Sequence, residues 1–150
     1  MRRSISVAAG ALVALLALTP AAGAHTYGGE SAKGGAMDMR ASPDFKRLLA
    51  LSVERELRCR KGRFRSFRSG IFVQRTVFVR VSGSRFRGSV RVRGARGSLI
   101  RRGRFSIRGR FTNGQAVAHG VFRERSRLRD GTRCSSGRVR FFLPVTSTGG

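Results

Sequence analysis

From about residue 60 onward, apolar positions recur every second residue, and the polar positions between them are mostly arginine. Period-two alternation of this kind marks strands with one face on a core and the other in water. Phe86, Val90 and Val92 alternate with Arg85, Arg87, Arg91 and Arg93, and Phe105, Ile107 and Phe111 alternate with Arg104, Arg108 and Arg110. Ala116, Ala118, Gly120 and Phe122 share one parity of the next strand; Val117, His119, Val121, Arg123, Arg125, Arg127 and Arg129 occupy the other. Val139, Phe141, Leu143 and Val145 close the pattern against Arg138 and Arg140. Ile71–Val81 is apolar on both parities and reads as one central strand.

Turn residues punctuate these runs. Ser82-Gly83-Ser84, a Gly-rich stretch at 94–97, Asn113-Gly114 and Asp130-Gly131 each separate two alternating segments. Asn-Gly and Asp-Gly supply the positive φ angles that tight hairpins require. Upstream, Ser42-Pro43-Asp44 offers an N-cap, a first-turn proline and an acid at the positive end of a helix dipole. With Phe45, Leu48 and Leu49 at helical spacing, it predicts a short helix over 43–50, then a strand into Cys59. Residues 25–41 show no apolar period and read as a flexible Gly-rich leader. The expected fold is all-β. It is an antiparallel sandwich or barrel of about seven strands, in one domain over 42–147 with a short N-terminal helix and a tail at 148–150.

The first 24 residues change the picture of where this domain resides. Arg2 and Arg3, an apolar stretch from Ile5 to Leu18, and Ala22-Gly23-Ala24 have the layout of a signal peptide, with cleavage expected between Ala24 and His25. The apolar stretch is short for a membrane span, so the expectation is a secreted or cell-envelope protein with no transmembrane segment after cleavage. Cys59 and Cys134 are the only cysteines, and an oxidising compartment predicts a bridge between them. They lie 75 positions apart, and closing so long a loop stabilises by about 4 kcal/mol in the chain-entropy account. The bridge is expected to tie the first strand to the one after the last hairpin, making the terminal strands neighbours.

Gly103-Arg104-Phe105 through Gly109-Arg110-Phe111, the small-residue strand Ala116–Phe122, and Gly131-Thr132-Arg133-Cys134-Ser135-Ser136-Gly137-Arg138-Val139-Arg140-Phe141 together carry a resemblance. Over roughly residues 51–145 the chain resembles exported bacterial all-β, sandwich-like domains of unassigned function. In these, a Gly-x-x-Cys-x-Ser/Thr-Gly-x-Val-x-aromatic segment follows such strands, and an earlier strand-end cysteine, here Cys59, is usual. Phe141 stands where these domains often have Trp. The resemblance implies a fold and a cysteine framework, and no activity.

Charge supplies the functional hypotheses. The 150 residues hold 32 Lys+Arg against 7 Asp+Glu, a formal charge of +25. Only Lys33, Lys46 and Lys61 are lysines. Guanidinium groups are permanently charged and bidentate, which suits phosphate, sulfate and carboxylate partners. Strand parity places Arg85, Arg87, Arg91, Arg93, Arg104, Arg108, Arg110, Arg123, Arg125, Arg127, Arg129, Arg138 and Arg140 on solvent-facing rows, the candidate anion-binding residues. Paired strands would set such rows side by side, an arrangement that self-repels and that a polyanion relieves.

The leading expectation is therefore a non-catalytic domain engaging acidic polymers: anionic glycan, wall polymer, lipid headgroup or extracellular nucleic acid. The alternative is a structural envelope domain with no specific ligand, its arginines merely solvated. A third, copper-binding reading would use the His25 amine and imidazole as a new N-terminus, with His119. The sequence carries no nucleic-acid reading motif, and its Phe residues sit on the core parity, so sequence-specific nucleic-acid recognition is not expected. No catalytic residue, metal or cofactor is predicted. A hydrolytic triad lacks a carboxylate placed to orient a His, since Glu124 and His119 differ in parity. Glu54 and Glu56 read as partners of nearby arginines such as Arg55 and Arg58.

Overall fold

The computed structural model describes residues 23–61, 65–74 and 79–148. The predicted signal segment lies outside the described residues apart from Gly23 and Ala24. Ten strands form one continuous antiparallel sheet: β1 (His25–Glu30), β2 (Ala36–Ala41), β3 (Leu48–Cys59), β4 (Ser66–Gln74), β5 (Val79–Ser82), β6 (Arg85–Arg93), β7 (Ile100–Thr112), β8 (Val117–Leu128), β9 (Arg133–Ser135) and β10 (Val139–Ser147). Pairing runs β10–β1–β2–β3–β9–β8, and β8 also pairs with β10, so six strands close into a barrel. β4 is added beside β3, and β7, β6 and β5 extend outward from β8.

The all-β expectation holds, with ten strands among the described residues where about seven are expected, and several further details are corrected. Residues 25–41 are not a leader; they form the β1–β2 hairpin, in register from His25↔Ala41 to Glu30↔Ala36. Tyr27, Met37, Met39 and Ala41 of this hairpin are buried. The hairpin looked aperiodic because β1 has small residues, Gly28 and Gly29, where a strand normally shows bulk. Tyr27 also donates a hydrogen bond to the Gln115 carbonyl (2.7 Å) in the β7–β8 loop, and burial pushes its phenol up to about 12.

The helix over 43–50 is absent. Ser42-Pro43-Asp44 turns β2 into β3 instead, using the same side-chain-to-backbone bonds that cap helices. The Arg47 amide donates to Ser42 Oγ (3.0 Å) and the Lys46 amide to Asp44 Oδ1 (3.1 Å). A bond from the Ser42 hydroxyl to Asp44 Oδ1 (2.6 Å), followed by that from the Lys46 amide, holds the Asp44 carboxyl below the usual carboxylate range. Phe45 takes a left-handed φ of 53°, an uncommon state for a bulky residue. Its ring is held at the barrel end by stacking on His25 (4.5 Å) and an edge contact with Phe111 (5.3 Å). In β3 the two-residue period prevails, with Leu51, Val53, Arg55 and Leu57 all turned inward.

The single strand expected over Ile71–Val81 is two strands, β4 and β5, separated by residues 75–78, which lie outside the described residues. Among the described residues each has one partner, β3 and β6 respectively, so both are edges rather than central strands. Their two-sided apolarity has a local reason. Ile71 and Val81 pack against the core, while Phe72 points out at 64% exposure.

The turns behave as their residues require. Asn113 and Gly114 have φ of 53° and 60°, within a loop between the paired residues Thr112 and Val117. The core is one large cluster, with Phe86, Phe105, Phe122 and Phe141 at its centre. A smaller one of Leu57, Ile100, Leu128 and Cys134 lies around the bridge. The Cys59–Cys134 disulfide is present with the two Cα atoms 4.0 Å apart. It joins β3 to β9 as a register pair, and not the terminal strands. Those meet elsewhere, through β1 and β10 (Tyr27↔Val145).

Candidate anion-binding site

The register of β6, β7, β8 and β9 sets arginine against arginine. Arg91 opposes Arg104, and Arg93 opposes Arg102. Arg104 then opposes Arg125, and Arg102 opposes Arg127. Arg127 in turn opposes Arg133. Two rows therefore cross the strands, Arg91–Arg104–Arg125 and Arg93–Arg102–Arg127–Arg133. Directly opposed residues in antiparallel pairs have Cα atoms about 4.5–5.5 Å apart, and like charges so placed destabilise a sheet.

These rows line a trough of about 1100 Å³ to which ten arginines and Lys33 contribute, with no carboxylate among its lining residues. Arg123 also belongs to it, and its Nε is buried without a hydrogen-bond partner among the described residues. The far wall comes from Arg58 and Arg60, at and beyond the end of β3, and from Lys33, whose ammonium donates to the Ser136 carbonyl (2.7 Å). Among the described residues Arg58 alone of this set meets a carboxylate, Glu56 at 3.4 Å, and both are solvent-accessible.

Of the thirteen predicted arginines, the trough gathers Arg91, Arg93, Arg104, Arg123, Arg125 and Arg127. Four more form a separate patch on the same outward face: Arg85 opposes Arg110, and Arg87 opposes Arg108. They line a second hollow of about 490 Å³ with His119, and Arg110 Nε donates to His119 Nε2 (3.2 Å). Arg129 is occupied elsewhere, donating to the Ser98 and Ala95 carbonyls (2.8 and 3.2 Å) and so fastening the 94–99 loop. Arg138 and Arg140 are exposed outside the trough, Arg140 beside the exposed Phe142.

Sequence reading missed Arg58, Arg60, Arg102, Arg133 and Lys33. Arg102 shares parity with Arg104, but the alternation in the sequence is clear only from Arg104 onward, whereas β7 begins at Ile100. Arg58, Arg60 and Arg133 flank the two cysteines, so the bridge itself carried the signal: joining Cys59 to Cys134 brings their neighbours together. Lys33 left no such trace, because its β1–β2 turn lay in the supposed leader.

Beneath the trough, on the inward face, is a buried ion pair. Arg55 of β3 and Glu124 of β8 are 2% and 0% exposed, and Arg55 Nε donates to Glu124 Oε2 (2.6 Å). The Ser126 hydroxyl donates to the same carboxylate. The Glu124 amide donates to Ser136 Oγ (2.8 Å), and Ser135 Oγ donates to the Glu124 carbonyl (2.9 Å). This network pins β9 to β8 and so fixes where Arg133 emerges. The Asp130-Gly131 turn completes the attachment: the Thr132 amide donates to Asp130 Oδ1 (2.9 Å), a bond that lowers that carboxyl's pKa.

No hydrolytic pair is formed at Glu124, which faces inward while His119 faces outward from the same strand. Nor do the histidines converge. His25 is stacked on Phe45 at one barrel end, and its neighbour Thr26 pairs with Ser147, whereas His119 pairs with Phe142. Five positions along β10 correspond to about 17 Å of strand, so the two-histidine copper arrangement is not assembled. Among the described residues no cluster of three or more His, Cys, Asp or Glu could hold a metal ion, and no helix is long and apolar enough to cross a membrane. No family model matches the chain, and neither does any curated protein or solved structure.

Proposed function

We propose that this chain is an exported, non-catalytic domain that binds acidic polymers through its arginine faces. One observation carries the reading: two rows of arginines in cross-strand register around a trough lined by ten arginines and no carboxylate. A solvated sheet face ordinarily alternates charge signs or spaces like charges apart. Here the repulsion is concentrated, and an anionic ligand turns it into attraction. The Cys59–Cys134 bridge suits the oxidising compartment that the N-terminal signal pattern implies.

The test is binding to immobilised heparin over a salt series. A polyanion site loses affinity as a power of salt concentration, because each neutralised anionic group releases a counterion. The expected log–log slope is steeply negative. A slope near zero overturns the reading in favour of an envelope domain whose arginines are only solvated.

A further inference from the structure

Resting on that polyanion reading, we infer that the trough is the footprint of one extended chain of tetrahedral oxyanions, phosphate or sulfate, running across the strands. A membrane surface does not fit it as well.

The argument begins with spacing. The rows Arg91–Arg104–Arg125 and Arg93–Arg102–Arg127–Arg133 step from strand to strand at about 4.8 Å, and the two rows are two residues apart along the strands, about 7 Å. From Arg93 to Arg133 the ladder covers three strand-to-strand steps, about 14 Å. Cations spaced this closely over about 14 Å can meet successive anions of a single chain laid along them.

The residue type narrows the chemistry. Every rung is a guanidinium, whose planar fork grips two oxygens of one oxyanion, where an ammonium acts as a point charge. The rungs lack salt-bridge partners, since Arg58 alone among the trough arginines meets a carboxylate within the described residues. The lining argues against two other polyanions. It contains no aromatic side chain, and Val92 is its one large aliphatic, so bases have nothing to stack on. The exposed apolar groups that would enter a bilayer, Phe72 and Phe142, do not line the trough.

The experiment compares linear polyphosphate, heparin, orthophosphate, duplex DNA and anionic phospholipid vesicles on the full chain, each over a salt series. Polyphosphate or heparin is expected to bind tightest, and the better of the two identifies the ester chemistry. Orthophosphate at equal phosphate concentration is expected to bind at least a hundredfold more weakly, because linked anions gain from effective concentration. The triple variant R91Q/R104Q/R125Q is expected to lose at least tenfold in affinity for the chain and to flatten its log–log slope by about 2. The charge-matched variant R40Q/R47Q/R68Q, at exposed arginines outside the trough and outside the second patch, is expected to lose less than threefold. Circular dichroism checks that both variants remain folded. Equal losses in the two variants, or tighter binding of duplex or vesicles than of either single chain, overturn this inference and leave the broader polyanion reading standing. Absence of binding to every polyanion overturns both.

Discussion

Arg55 and Glu124 show how one residue can matter more to the architecture than to the chemistry it suggests. Both occupy inward positions, Arg55 between the apolar Val53 and Leu57 on one strand and Glu124 between Phe122 and Ser126 on the other. A buried ion pair survives because each charge has the other, and removing one partner strands its mate without water. Arg55→Ala and Glu124→Ala are each expected to lose about 3–5 kcal/mol in urea denaturation, whereas Arg55→Met combined with Glu124→Leu loses far less. A loss in the double variant equal to the sum of the two single losses would show that the two charges act independently and overturn this reading. The pair was half legible in sequence. A lone charge on an apolar parity in each of two strands is the mark of such a pair, but Arg55 was read with its neighbours in sequence, Glu54 and Glu56. Its partner is 69 positions away, a separation that only the fold can reveal.

At the scale of elements, local chemistry was readable and its structural setting was not. Ser42, Asp44 and Phe45 display helix-start chemistry, and they use it to close a hairpin, because their bonds satisfy any run of free amides. Tertiary packing of Leu51, Val53 and Leu57 on the barrel core decided the period. The arginine strands were legible throughout because their alternation is nearly unbroken. The packing role of the glycines within them is not legible in the sequence, although Gly109 and Gly120 serve it. Gly109 and Gly120 are a register pair, and a Cβ on Gly109 would come within 2.5 Å of the Phe86 ring. The Phe86 and Phe141 rings, 6.3 Å apart, occupy the space these glycines leave open. Gly109→Ala is accordingly expected to destabilise by about 1–3 kcal/mol through overpacking, read as a lowered urea midpoint with unchanged m-value. The same Cβ would lie closer still to the His119 carbonyl of the paired strand, so an unchanged midpoint would mean that both the ring and the backbone yield.

Across the whole molecule, repulsion and closure are the two dominant features. A sheet whose outward face opposes arginine to arginine is stabilised by whatever screens or binds those charges. Melting temperature is therefore expected to rise with added sodium chloride, and to rise further with sulfate at equal ionic strength, because sulfate occupies guanidinium forks. A flat or falling melting temperature in both salts would show that the rows are too well solvated to oppose folding. The rows could be anticipated from parity, but their assembly into one trough depended on β9, three residues long, slotting between β3 and β8. Closure of the barrel also sets the order of events when the chain acquires its shape. β1 completes the circuit only by pairing with β10, and β9 only after β8 has formed, so no N-terminal portion can finish the barrel ahead of the rest. Long-range strand pairing of this kind is slow to assemble. A chain that stays open until its last strand is available keeps its two cysteines apart until β9 docks.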